Sequence, residues 1–132
     1  MADTAIELNE VAGINSSATR AMNAVAYYGT FAGDDTDYHI FRTATSGKSK
    51  FTYMVDNLTD KDCTVDLWGS FVQDAEPGDT GTVQIGSSIT ASSTSAEHDT
   101  TADGFPWLFV RCKFGATPDG KTVTVYTYAV PN

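Results

Sequence analysis

From residue 25 onward the chain is written in short runs that alternate apolar and polar side chains, each closed by turn chemistry, and this period of two limits what it can become. In 50–57, Phe51, Tyr53 and Val55 alternate with Thr52, Met54 and Asp56. In CTVDLWGSFVQ (63–73), Cys63, Val65, Leu67, Gly69 and Phe71 alternate with Thr64, Asp66, Trp68 and Ser70. Successive side chains of a strand point to opposite faces, so each run offers one face to a core. VAYYGTFA (25–32), YHIFRT (38–43) and TVQIGSSITAS (82–92) read the same way, the last broken or bulged near Gly86. Turn-forming clusters at 33–37, 58–62 and 74–79 punctuate the runs, and the highly polar SSTSAEHDTTADG (92–104) reads as a long exposed loop.

Six to eight strands without an amphipathic helix specify an all-β protein, and we expect a single β-sandwich of jelly-roll type. At 132 residues the chain suits one domain, long enough to bury roughly two thirds of the surface its unfolded form exposes. Residues 25–132 are expected to form the sandwich. Residues 1–24, with Ile6, Leu8, Val11 and Ile14 scattered at no regular period, form an N-terminal arm held by the body of the protein or by a neighbour.

Acidic residues outnumber basic ones 17 to 8, giving a formal charge of −9. That field repels phosphates and anionic membranes, so neither nucleic acid nor membrane is an expected direct partner, and it suits a protein of high salt, where screening removes the self-repulsion. No signal peptide or membrane span is expected, since no basic stretch precedes an apolar segment and apolar runs are only a few residues long.

Chemistry is thinly supplied. Catalytic-serine elbow, phosphate-binding loop, dinucleotide fingerprint and zinc-protease motif are all absent. His39 could pair with Asp37 but has no evident nucleophile, and His98 lies in the polar stretch between Glu97 and Asp99. Asp34, Asp35 and Asp37 offer carboxylates within one turn but lack the spacing and closing Glu of an EF-hand. No catalytic residue, metal site or cofactor is therefore expected. Asn15-Ser16-Ser17 and Asn57-Leu58-Thr59 match the glycosylation pattern. Cys63 and Cys112 both fall on core-facing positions and are expected reduced, a disulfide between them being the alternative.

The closing segment, 104–132, reads as two strands joined through 116–120, where Pro118 presets φ and Gly120 supplies a positive φ, so that the two form a hairpin. Leu108, Val110, Cys112 and Phe114 then face the core with Val123, Val125, Thr127 and Ala129. The opposite face carries Trp107, Phe109, Arg111, Tyr126 and Tyr128, and its four aromatics at about 100 Å² each make a patch near ~400 Å². Three covers are open: the arm or a loop of the chain itself, a neighbouring protein anchored by these aromatics and Arg111, or a sugar stacked on the rings. These five residues, with Ile6, Leu8, Val11 and Ile14 of the arm, are the interface candidates.

The sequence also resembles small structural proteins of tailed viruses. The positions that carry the likeness are Leu67 to Ser70, Ile85 to Ser87 and Trp107 to Arg111, followed by a Thr/Val-rich terminal segment, within residues 50–130. The resemblance implies a non-catalytic β-sandwich of the virion, often oligomeric, on the capsid surface or along the tail. It leads us to expect a capsid decoration or minor capsid protein, forming a homo-oligomer, a trimer foremost, on a major capsid protein or another virion protein. The acidic balance adds a halophilic host. The alternative is a carbohydrate- or receptor-binding sandwich, an adhesin or tail component.

Overall fold

The computed structural model describes residues 4–7, 9–10, 25–46 and 48–131. The strands are β1 (Thr4–Glu7), β2 (Asn9–Glu10), β3 (Val25–Ala32), β4 (His39–Ala44), β5 (Lys48–Asn57), β6 (Cys63–Ser70), β7 (Thr82–Ala91), β8 (Ser95–Thr101), β9 (Trp107–Phe114) and β10 (Thr122–Pro131). They form two sheets, β1-β4-β9-β6-β7 and β2-β3-β10-β5-β8. Without the two short arm strands, each is a four-stranded antiparallel sheet.

The pairing is nested: β3 lies against β10, β4 against β9, β5 against β8 and β6 against β7. One long antiparallel ribbon, folded over on itself, gives this order, and it is the jelly roll. Among the described strands only β6 and β7 are neighbours both in sequence and in a sheet; every other connection from β3 onward crosses from one sheet to the other.

That rule corrects the expected terminal hairpin. β9 belongs to the first sheet and β10 to the second, so the two strands do not pair. The turn residues behave as read, Gly120 having φ 89°, but the turn spans the sandwich and bonds elsewhere. Gly120 N donates to Gly33 O at 2.8 Å and Gly33 N donates to Lys121 O at 2.9 Å, which locks it to the β3–β4 turn. A Cβ on Gly33 would sit 2.5 Å from the Thr59 methyl, so this junction closes only around glycine.

The alternation itself is as expected. Leu108, Val110, Cys112 and Phe114 from β9 meet Val123, Val125 and Ala129 from β10 across one core, with Phe51, Tyr53, Val55, Val65 and Leu67. Thr43 and Thr127 hydrogen-bond between the sheets at 3.4 Å. Cys63 and Cys112 are buried and unbridged. Their strands pair Cys63 with Phe114 and Val65 with Cys112, so the thiols are diagonal neighbours on the inner face. The irregularity near Gly86 is present too: Val65 pairs with Ile89 and Leu67 with Ile85, and Gly86 has φ 69°.

Two elements differ from expectation. The polar stretch at 92–104 contains β8, an edge strand exposed along nearly its whole length, paired with β5 from Phe51↔Thr101 to Asn57↔Ser95. With no face to bury it needs no apolar alternation, and its backbone pairing leaves no trace in the sequence pattern. β6 ends at Ser70, and Phe71 lies beyond the core, 67% exposed.

The described part of the arm, residues 4–7 and 9–10, pairs with the body of the protein. β1 runs parallel to β4, Thr4 opposite His39 through Glu7 opposite Arg42, and β2 runs antiparallel to β3 with Asn9 opposite Tyr28. Within three residues the backbone passes from the edge of one sheet to the edge of the other, covering strand edges that would otherwise offer unpaired amides. Ile6 lies in β1 opposite Phe41, whereas Leu8, Val11 and Ile14 lie outside the described residues, as does Asn15.

Candidate interaction surfaces

Because β9 and β10 sit in different sheets, the five terminal interface candidates do not share a face. Trp107, Phe109 and Arg111 lie on the outside of the first sheet, Tyr126 and Tyr128 on the outside of the second. The two outer faces have different fates.

On the first sheet the chain covers itself. Phe109 and Ile40 are fully buried in a small second core with Ala75, against which Trp68 and the half-buried Trp107 pack. Ala75 comes from the β6–β7 connection, which folds back over the sheet, and Arg42 fastens it. Its Nη2 donates to Ala75 O at 3.1 Å while its guanidinium lies 5.1 Å from the centre of the Phe109 ring. Farther along, Arg111 grips Asp66 through two bonds of 3.1 Å, from Nε to Oδ1 and from Nη2 to Oδ2. Trp68 Nε1 donates to the same carboxylate, and the guanidinium stacks 3.9 Å from the Tyr38 ring centre. Arg111 is thus engaged inside its own chain and is no free anchor.

Among the described residues nothing covers the outer face of the second sheet. Tyr126 and Tyr128 are 39% and 40% exposed, joined by Tyr28 of β3 at 43%. Register places Tyr28 beside Tyr126 and Met54 on its other side, and Ala26, Tyr128 and Thr52 in the next row. The Tyr28 and Tyr126 rings are 6.3 Å apart, centre to centre. Ala26, Thr52, Met54, Tyr126 and Tyr128 border a shallow apolar hollow of about 210 Å³. VAYYGTFA alone carries no sign of its partner strand; its pairing with β10 puts Tyr28 on the same side as Tyr126.

The remaining candidates resolve into structural roles. His39 is buried, stacked at 3.9 Å on Phe31, with Nε2 3.1 Å from Asp35 Oδ1; its partner is Asp35 rather than Asp37. Asp37 instead donates its backbone N–H to the same Asp35 oxygen, so the acidic turn is organised from within. Among the described residues no group of three or more His, Cys, Asp or Glu is placed to hold a metal. His98 is exposed on β8, opposite Met54. Asn57 is fully buried, and its amide nitrogen is 2.7 Å from Lys61 O, 2.9 Å from Ala91 O and 3.3 Å from Ser92 O. The nitrogen a glycan would occupy is enclosed, so the glycosylation match at Asn57 is a folding element.

No protein-family profile matches the sequence, and no curated protein is similar to it in sequence. Among solved structures the chain is similar to PirA, with a TM-score of 0.52 and 12% identity over 87% of this chain and 99% of that one. It also aligns with Aeromonas hydrophila PliG, a periplasmic lysozyme inhibitor of g-type lysozyme, at a TM-score of 0.46 and 11% identity over 99% of this chain and 100% of that one. A CBM4 structure aligns at a TM-score of 0.39 and 12% identity over 81% of this chain and 71% of that one. At 12% identity the likeness to PirA is one of fold.

Proposed function

We propose that this chain is a non-enzymatic structural protein of a virion, a capsid decoration or minor capsid protein that associates into a small homo-oligomer and seats on the viral shell. The observation that carries the reading is the asymmetry of the two outer faces. On one, Ile40 and Phe109 are buried beneath Ala75 of the β6–β7 connection and Arg111 is engaged by Asp66; the other leaves three tyrosines about 40% exposed on neighbouring positions of β3 and β10. Tyrosine is enriched where protein surfaces meet, because it joins a large apolar area to a polar tip at little entropic cost. The jelly roll is a fold that viral capsid domains share with lectins, and the short motifs resembling tailed-virus structural proteins favour the first of these.

The test is physical association. In particles purified from an infected culture on a density gradient, the protein should co-sediment with the major capsid protein in a fixed stoichiometric ratio. Recovery only in the soluble fraction would overturn the assignment. The hollow beside Tyr126 and Tyr128 also fits a sugar ring, which supports the carbohydrate-binding alternative. That reading predicts glycan-array binding lost in Tyr126→Ala/Tyr128→Ala, with particle association intact.

A further inference from the structure

We infer that the tyrosine face receives a second copy of the same chain, related by a two-fold axis running along the row Tyr27, Thr127 and Tyr53. This rests on the proposed homo-oligomer and names its contact. The three residues are register partners across β3, β10 and β5. A two-fold axis in the plane of the sheet and perpendicular to the strands keeps each strand over its own counterpart while reversing its direction. Such an interface must be complementary to itself.

The face meets that condition. On β5 the outward charges are Lys50 and Asp56, three residues to either side of Tyr53. The rotation sets Lys50 of each copy over Asp56 of the other, giving two equivalent ion pairs. Among the described residues neither has an ion-pair partner within its own chain. On β10, Tyr126 meets Tyr128 of the second copy. On β3, the large Tyr28 meets the small Ala26. The hollow of about 210 Å³ lies around the axis, where an opposing tyrosine pair would fill it.

Charge argues for the same face. The chain carries −9, so two copies repel, yet the outward positions of β3, β10 and β5 from 50 to 56 hold one cation and one anion. Like-charged copies meet at least cost where the surface is neutral. Four strands at about 4.8 Å and seven residues at about 3.3 Å span ~20 by ~23 Å, about 900 Å² for the two copies together, the size of a weak, reversible interface.

Sedimentation equilibrium at about 0.1 M salt, where such pairs are only partly screened, tests the arrangement. The wild-type chain should have twice the 14.1 kDa chain mass. Lys50→Asp and Asp56→Lys should each weaken self-association about a hundredfold, since each sets two like-charged pairs face to face. An equimolar mixture of the two variants should recover a dimer, because every contact across the axis is then of opposite sign. Recovery on mixing also excludes misfolding of either variant. A wild-type monomer, a trimer, or a mixture no tighter than its components would overturn the inference. A wild-type monomer that still co-sediments with particles would remove this contact and leave the virion assignment standing.

Discussion

Asn57 is the residue whose replacement should test the architecture most sharply. It is fully buried at the end of β5, and its Oδ1 accepts from Thr59 N at 3.0 Å and from Thr59 Oγ1 at 2.7 Å. Its Nδ2 reaches three carbonyls with only two protons, so one contact is shared. Thr59 in turn accepts from Thr94 N through its carbonyl, so the Asn57 side chain joins the β5–β6 connection to the start of β8. Asn57→Ala removes about four effective hydrogen bonds at ~1 kcal/mol each and leaves buried groups without partners, a loss of about 4 kcal/mol. Against a total stability of ~5–15 kcal/mol that is a large fraction. With a urea dependence near ~1.5 kcal/mol per molar, the unfolding midpoint should fall by about 2–3 M, while the exposed Thr90→Ala stays within ~0.5 kcal/mol of wild type. Asn57→Asp should fare no better, since a carboxylate faces the same carbonyls with nothing to donate. A loss below ~1 kcal/mol in Asn57→Ala would refute the view that this side chain, rather than the surrounding backbone, holds the end of the sandwich together.

A Cβ on Gly69 would lie 2.5–2.8 Å from three atoms of the Phe105 ring, so Gly69→Ala should cost about 1–3 kcal/mol in a thermal melt. The cost should largely vanish in a Phe105→Ala background, and an equal cost there would show that the ring is not the obstacle. Alkaline pH should destabilise the fold. A hydrogen bond with the Cys63 thiol, with burial second, holds the Cys112 thiol protonated well above its usual range, and burial first, then Asp99, does the same for Tyr53. The unfolded chain releases these protons near ~8.5 and ~10 while the folded chain keeps them, so stability is complete below about pH 8 and falls above it, by up to ~1.4 kcal/mol per pH unit for each group. Urea midpoints from pH 7 to 11 should show the decline, shallower above pH 10 in Tyr53→Phe; a flat profile would contradict it.

What the sequence made legible was local, and what it hid was pairing. Alternation at 51–56, 63–70 and 107–114 reports which side chain faces the core, because that choice is settled residue by residue by burial. The turn at 116–120 reports a reversal of direction, and Pro118 and Gly120 serve equally whether the next strand returns in the same sheet or crosses to the other. The difference lies in distant partners, in β3 waiting for β10 and in Gly33 closing on Lys121, and these involve residues some ninety positions apart. The same ambiguity governed the candidate surface. Read as a hairpin, Trp107, Phe109, Tyr126 and Tyr128 make one patch; read as a jelly roll, the first pair sits beneath the β6–β7 connection and the second pair gains Tyr28. A surface tyrosine on its own is unremarkable, since much of any folded surface is apolar. What singles it out is the company that topology gives it, and here Tyr28, Tyr126 and Tyr128 share a face on which the outward positions of β3, β10 and β5 from 50 to 56 carry one cation and one anion, in a chain that is elsewhere strongly acidic.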